Sequence, residues 1–145
     1  MKEILEILRK RGWYMGVMES CTGGAVANLI TNIPGASDVF KVGKVTYSDE
    51  AKIEAGADEE IIKKFGVYSI EVAEEMARKI NGDIGLGITG NFNFPREVFI
   101  AIRVKDKIVS EKINVESLLT DEIEARKEMK REVVGRVLKM LSNCL

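Results

Sequence analysis

One short segment, Glu19-Ser20-Cys21-Thr22-Gly23-Gly24, combines a carboxylate, two hydroxyls, a thiol and two glycines. It follows the apolar run 13–18 and precedes the helix-like run 25–30, which predicts a tight turn from a strand into a helix. Such a turn presents backbone N–H groups at a helix start, where α/β proteins bind anions or place a nucleophile. The segment is therefore our candidate for the centre of a site.

Two interpretations of Ser20 remain open from the residues alone. Its hydroxyl can cap the following helix, which is the common role of serine at this position. It can also act as a nucleophile whose oxyanion is stabilised by the helix start and by the amides of Gly23 and Gly24. Thr22 could serve as the cap instead, which would leave Ser20 free.

The chain contains no histidine, which limits the chemistry available at this turn. Ser-His-Asp and Cys-His pairs are excluded, and an ordinary zinc site loses its commonest ligand. Any general base must therefore be lysine, tyrosine, a carboxylate or water. We expect neither a metal nor a cofactor.

Lys52 and Tyr47 are the candidates for proton transfer. Tyr47 ends a predicted strand, where its phenol can either pack or hold a proton. Lys52 could be an ordinary solvated lysine on a helix. Burial near Ser20 would instead lower its pKa from about 10.4 toward neutrality, so that it could take the serine proton.

Three further residues have two interpretations each. Arg126 extends the apolar stripe of the last predicted helix, so it could lie over apolar surface or bind an anion. Cys21 stands at a helix start, where thiolates are favoured, but no histidine or second cysteine is near it in sequence, so we interpret it as a packing residue. Glu19 could orient a cation or be a surface acid.

The composition predicts one globular domain spanning residues 1–145. Hydrophobic residues make up 46% of the chain and charged residues 31%, a balance that allows a proper core. The 22 Lys+Arg and 23 Asp+Glu give a formal charge of −1. No global basic field would attract nucleic acid or an anionic membrane, so we expect neither as a partner.

Cysteine usage and the apolar runs bear on location. Cys21 and Cys144 are far apart, which gives no disulfide framework and favours a reducing cytosol. The first eight residues interrupt their apolar positions with acids, unlike a signal peptide, and no apolar run approaches membrane-spanning length. We expect a cytoplasmic protein.

Hydrophobic periodicity predicts alternating helices and strands. The predicted strands are 13–18, 40–47, 84–89, 98–104 and 108–115. The first predicted helix ends near residue 12, and a second covers 22–31. Two short helices follow residues 48 and 58, another helix follows residue 69, and the last covers 121–141. The last two strands flank Lys105-Asp106-Lys107 as a hairpin. This order predicts an α/β fold, a three-layer α/β/α sandwich on a mixed sheet with a C-terminal hairpin and a long closing helix. Loops following three of the strands, at Ser20, Tyr47 and Thr89-Gly90, could share one pocket.

Five segments carry a resemblance to a known family. They are the six-residue turn Glu19 to Gly24, the loop at Pro34-Gly35, the segment from Gly43 to Lys52, which reads Gly-x-Val-x-Tyr-Ser-x-Glu-Ala-Lys, the helix entry from Gly66-Val67-Tyr68-Ser69 to Met76-Ala77, and the Thr-Gly turn in Ile88-Thr89-Gly90. The turn and the Tyr-Lys segment at this distance are a specific combination. On these residues the chain resembles the CinA C-terminal domain family, the nicotinamide-nucleotide amidohydrolases.

The resemblance implies an activity in pyridine nucleotide salvage and NAD metabolism. The family hydrolyses the carboxamide of nicotinamide mononucleotide to the acid and ammonia, with the turn serine as nucleophile. Carried over, Ser20 would be the nucleophile, assisted by Tyr47 and Lys52, and Arg126 would position the charged substrate. The resemblance assigns substrate binding to Glu19, Cys21, Thr22, Gly23, Gly24, Thr89 and Gly90. We expect a small nucleotide as substrate and a homo-oligomer.

One segment departs from the family pattern. After its Thr-Gly turn the family has a longer loop rich in glycine and proline that walls the pocket, whereas only residues 91–96 bridge to the next strand here. The usual Gly-Asp before the arginine of the last helix is Glu124-Ala125. Two other hypotheses therefore stand beside the hydrolase: a catalytically impaired member that binds a nucleotide or phosphate, and an oligomer-forming partner module.

Overall fold

The computed structural model describes residues 1–145 as a five-stranded sheet with helices on both faces. The strands are β1 (Met15–Glu19), β2 (Phe40–Val45), β3 (Ile84–Gly90), β4 (Glu97–Val104) and β5 (Lys107–Asn114). The helices are α1 (Lys2–Arg11), α2 (Ala25–Thr31), α3 (Asp49–Glu54), α4 (Glu59–Phe65), α5 (Ile70–Lys79) and α6 (Glu122–Cys144), with one 3-10 turn at Ala36–Asp38. The predicted α/β fold with its hairpin and long closing helix is confirmed.

The strand order is β2-β1-β3-β4-β5, with β2 and β5 at the two edges. Strand β1 pairs in parallel with both β2 and β3, and Glu19 at its end lies opposite Val45 and Ile88. Strands β4 and β5 continue the sheet in antiparallel fashion. The ends of β1, β2 and β3 therefore meet at one edge, which we call the carboxyl edge.

The two faces of β3 have different partners because successive side chains point to opposite sides. Ile84, Leu86 and Ile88 belong to the main core, which also contains residues of α1, α2 and α6. Gly85 and Gly87 face α5, and a Cβ at Gly87 would overlap the carbonyl oxygen of Ala73. Glycine at these positions lets α5 pack directly against the backbone of the sheet.

The helices around the carboxyl edge begin at residues whose side chains cap them. Ser48, Asp58, Ser69 and Asp121 each accept a hydrogen bond from a backbone N–H of the first turn, of α3, α4, α5 and α6 respectively. Helix α2 is different and begins later than predicted. Gly23 and Gly24 adopt φ angles of 62° and 95°, a left-handed backbone that extends the turn and delays the helix to Ala25. None of the helices is long and apolar enough to cross a membrane.

Candidate active site

A cavity of about 140 Å³ opens at the carboxyl edge of the sheet. It lies among the turn after β1, the start of α3, the connection from β3 to β4, and the first turns of α6. We call it the serine pocket, and its lining residues are Ser20, Cys21, Tyr47, Asp49, Lys52, Val67, Tyr68, Gly90, Asn91, Phe92, Asn93 and Arg126.

Ser20 and Lys52 are in direct contact at the base of this pocket. The Lys52 Nζ lies 3.1 Å from the Ser20 Oγ and also donates to the carbonyl oxygens of Thr46, at 2.9 Å, and Ser48, at 3.4 Å. The Ser20 backbone N–H donates to Ile88 O, which fixes the serine at the end of the sheet. Its hydroxyl caps no helix, so the hydroxyl is directed to the lysine.

The surroundings of Lys52 favour its neutral form. The residue is only 2% exposed, and this burial lowers its pKa below the ordinary value, while the nearby carboxylate of Asp49 acts in the opposite direction. An ammonium at this position has three oxygens for its three N–H groups. After losing one proton, the amine can keep its two carbonyl acceptors and present its lone pair to the Ser20 hydroxyl. Lys52 is therefore suited to exchange a proton with Ser20.

Glu19 stabilises the turn through buried hydrogen bonds. Its side chain is completely buried, and its carboxylate accepts hydrogen bonds from the Thr22 hydroxyl at 2.5 Å and from the N–H groups of Val26 and Ala27 at 3.1 and 3.0 Å. The carboxylate thus supplies the acceptors that the start of α2 needs. Glu19 and Thr22 do not line the serine pocket, and their contacts are those of residues that position Ser20.

The backbone amides at the turn differ in their availability. The Gly23 N–H donates to Ser20 O at 2.9 Å, so the expectation that the Gly23 amide stabilises an oxyanion is wrong. The N–H groups of Cys21 and Thr22 donate to no backbone oxygen. The amide that follows the nucleophile is a recurrent oxyanion donor in acyl transfer. The amide of Cys21, which follows Ser20 and lines the pocket, is therefore the better candidate.

The thiol of Cys21 lines the pocket but is poorly suited to act as a nucleophile. Burial raises its pKa to about 12, and the backbone N–H groups of Cys21 and Thr22 only partly offset this effect. The thiolate is the reactive form of cysteine. Cys21 is therefore a neutral packing residue, as the sequence indicates.

Arg126 and Tyr47 line the pocket without a hydrogen bond to the serine. The Arg126 guanidinium donates to Asn93 Oδ1 at 2.8 Å, which links α6 to the connection between β3 and β4 across the mouth of the pocket. The Tyr47 side chain is 67% exposed, and its phenol forms no hydrogen bond with Ser20 or Lys52. Its assistance in proton transfer stays a prediction.

The structure brings together only part of the predicted set. Ser20, Cys21, Tyr47, Lys52, Gly90 and Arg126 line the pocket, whereas Glu19, Thr22, Gly23, Gly24 and Thr89 do not. The Thr89 hydroxyl donates to Val67 O at 2.9 Å and anchors the loop before α5. Sequence reasoning missed the pocket positions of Asp49 and Tyr68. Both residues lie in segments that resemble the family, but no pattern in the sequence indicates that their side chains line a pocket.

The chain is similar to known proteins over its whole length. The family model of the CinA C-terminal domain matches residues 1–145. A relative named CinA-like protein, from Chloroherpeton thalassium, is 48% identical over 94 residues, which cover 61% of this chain and 22% of that protein. The chain thus spans less than a quarter of the length of the curated relatives it matches.

Two solved structures share the fold. The competence damage-inducible protein A from Klebsiella pneumoniae superposes with a TM-score of 0.88 at 22% identity, covering 98% of this chain and 92% of that one. The competence/damage inducible protein CihA from Agrobacterium tumefaciens gives a TM-score of 0.86 at 24% identity, covering 98% and 91%. At these identities the likeness extends to the fold.

Proposed function

The chain belongs to the CinA C-terminal domain family, and on that premise we propose that it is a serine-dependent amidohydrolase that deamidates nicotinamide mononucleotide. The observation that carries this proposal is the contact of 3.1 Å between Lys52 Nζ and Ser20 Oγ in a buried site. A lysine with a lowered pKa beside a serine is a nucleophile and base pair that needs no histidine. The proposal explains how a serine can be activated in a chain that contains no histidine.

In the first half of the reaction, Lys52 takes the proton of the Ser20 hydroxyl as the oxygen attacks the carboxamide carbon. The amide of Cys21 is the donor to the charge that develops on the carboxamide oxygen. The C–N bond then breaks, and Lys52 returns the proton to the leaving nitrogen, which departs as ammonia. An ester between Ser20 and the nicotinoyl group remains.

In the second half, water attacks this ester and Lys52 takes the proton of the water. The bond between Ser20 Oγ and the acyl carbon breaks, and the serine recovers its proton from Lys52. The product is nicotinic acid mononucleotide. Arg126 lies at the mouth of the pocket, where its cation can hold an anionic part of the substrate.

The test is ammonia release from nicotinamide mononucleotide by the purified protein. Wild type should release ammonia together with an equal amount of the acid, and Ser20→Ala should abolish this release while keeping the native circular dichroism spectrum. Thr31→Ala, which removes an exposed hydroxyl at the far end of α2, is the matched control. Release that persists undiminished in Ser20→Ala would contradict the proposal.

A catalytically impaired nucleotide binder is the second candidate. It is favoured by the short connection between β3 and β4, only residues 91–96, in which the Phe94 side chain is 92% exposed. A missing wall weakens substrate orientation, which contributes several kcal/mol to a catalysed barrier. Calorimetry that detects nucleotide binding without ammonia release would favour this candidate.

A further inference from the structure

A second cavity, of about 400 Å³, adjoins the serine pocket. The two cavities share the lining residues Phe92, Asn93 and Arg126. The remaining wall of the second cavity comes from Phe94 and Arg96 in the same connection, from the segment that leads into α6, and from the first turns of α6 itself. We call this cavity the adjoining chamber, and the hydrogen bond between Asn93 and Arg126 forms the boundary between it and the pocket.

The charges in the adjoining chamber are largely uncompensated. Arg126 donates to the neutral Asn93 amide, and neither Arg126 nor Arg96 forms an ion pair. The Arg96 side chain has no hydrogen-bond partner in the protein. One acid, Glu122, also lines the chamber, but it is exposed and pairs with neither arginine. Two guanidinium groups beside aromatic walls form a site for an anion that carries a ring or sugar.

The backbone of Arg96 is strained. Its φ angle is 58°, in the left-handed region that glycine adopts readily and a side chain does not. The conformation is fixed on both sides, because the Arg96 N–H donates to Asn93 O at 2.7 Å and its carbonyl accepts from the Val115 N–H at 3.0 Å. Strained residues cluster at ligand sites, and Arg96 lines the adjoining chamber.

The small volume of the serine pocket also indicates that a nucleotide would need a second cavity. Small-molecule sites commonly measure roughly 300–1,000 Å³, and the serine pocket alone, at about 140 Å³, falls below that range. A nucleotide whose carboxamide reaches Ser20 must therefore place the rest of its structure elsewhere. The adjoining chamber is the cavity that shares its walls with the pocket.

We propose that the adjoining chamber binds the phosphate-bearing part of the substrate and that Arg96 is a specificity residue for that phosphate. This inference rests on the proposed function, since it assigns the part of the substrate that Ser20 does not touch. Arg96 acts together with Arg126, so that the two guanidinium groups select a phosphorylated pyridine nucleoside over the same nucleoside without phosphate. The short connection thereby contributes a charged group in place of a longer wall.

The experiment compares nicotinamide mononucleotide with nicotinamide riboside, which lacks only the phosphate. Dissociation constants are measured by calorimetry in a Ser20→Ala background, so that binding is read without turnover, and kcat/KM is measured separately with the intact serine. Arg96→Gly should weaken binding of the mononucleotide about tenfold or more and leave binding of the riboside unchanged. Because glycine relieves the strained backbone, thermal stability should stay equal or rise. Arg96→Asn, which also tolerates a left-handed backbone, should reproduce the loss of affinity.

Lys105→Gly is the matched control. Lys105 also has a positive φ, of 54°, but it lies in the hairpin turn between β4 and β5, outside both cavities. It should leave both dissociation constants unchanged. The inference would be overturned if Arg96→Gly weakened binding of the two ligands equally or weakened neither. It would also be overturned if the parent protein bound neither ligand. If Arg96→Gly weakens binding of the mononucleotide alone but the protein releases no ammonia, the inference about Arg96 stands and the proposed activity fails. If the protein releases ammonia but Arg96→Gly has no effect, the proposed activity stands and the inference about Arg96 fails.

Discussion

The Lys52 amine and the Ser20 hydroxyl lie 3.1 Å apart although 32 positions separate them in sequence. The parallel pairing of β1 and β2 brings them together, because Ser20 follows the end of one strand and Lys52 sits on the helix after the other. Their proximity is thus a property of the sheet and does not depend on a flexible loop.

Replacing Lys52 by methionine should remove the base while keeping a stem of similar length in the buried position. General base catalysis contributes roughly 100-fold to 10,000-fold, and we expect kcat for ammonia release to fall by that factor. Steady-state kinetics with nicotinamide mononucleotide measure it. Lys44→Met, which changes an exposed lysine of β2, should change kcat less than about twofold. Equal losses in the two variants would argue against a specific role of Lys52.

The pH dependence should report the state of Lys52. Only its neutral amine accepts a proton, so kcat/KM should rise with pH through the lowered pKa of Lys52. Asp49 raises that pKa. Asp49→Asn should therefore lower it further and move the rising limb to lower pH. Rates measured from about pH 5 to about pH 10, a range that brackets such a lysine, test this.

The control for this measurement is Glu50→Gln, a change at the next residue, which does not line the serine pocket. Its rising limb should coincide with that of wild type. A limb that moves to higher pH in Asp49→Asn would show that another group governs the rate.

The Cys21 thiol should be chemically inert in the folded protein. Since burial raises its pKa to about 12, almost no thiolate exists at neutral pH, and iodoacetamide should leave activity intact. Cys21→Ala should retain activity within about fivefold, because the thiol takes no part in the proposed proton transfers. In urea both cysteines of the chain should react, which mass spectrometry can count. Rapid inactivation of the folded protein at neutral pH would refute this assignment.

Removing the Glu19 carboxylate should destabilise the protein. Glu19→Ala leaves the N–H groups of Val26 and Ala27 without their acceptor, and we expect the free energy of unfolding to fall by roughly 3 kcal/mol. Thr22→Val removes only one donor and should cost about 1 kcal/mol. Urea denaturation measures both. Glu6→Ala on the exposed side of α1 should stay within about 0.5 kcal/mol of wild type, and a similar loss there would remove the special status of Glu19.

Two glycine substitutions should have opposite effects. Gly87→Ala forces a methyl group into the carbonyl oxygen of Ala73, and such overpacking between α5 and the sheet should cost about 3 kcal/mol or prevent folding. Gly135→Ala lies within α6, where a Cβ would have no neighbour within 4 Å, and should stabilise by about 0.5–1 kcal/mol. Thermal unfolding of the two variants checks the pair. Loss of stability in Gly135→Ala would contradict the packing described for α6.

The regular elements could be predicted from the sequence because their apolar residues repeat over many positions. The stripe through Val133 and Val137 predicts α6 and places Arg126 on the same side, and the structure puts Arg126 at the pocket. The edge shared by three loops followed from the rule that parallel strands end together. Periodicity and topology are averages over many residues, so they tolerate local irregularity.

The details of the site could not be predicted because they depend on single contacts. Nothing in the sequence distinguishes Glu19 from a surface acid. Its burial depends on the direction of the first N–H groups of α2, which donate to its carboxylate. The occupied amide of Gly23 follows from the left-handed turn. The backbone of Arg96 is less predictable still, since glycine is the residue expected at such an angle.

The strand order has a consequence for how the protein behaves at high concentration. An exposed sheet edge is a template for pairing with another chain, and charged side chains, lysine above all, discourage it. Exposed lysines occupy both edges here, at Lys41 and Lys44 on β2 and at Lys107 and Lys112 on β5. Growth of the sheet from one molecule into the next would bring these cations together and strip them of water. The fold therefore resists aggregation through its edge strands.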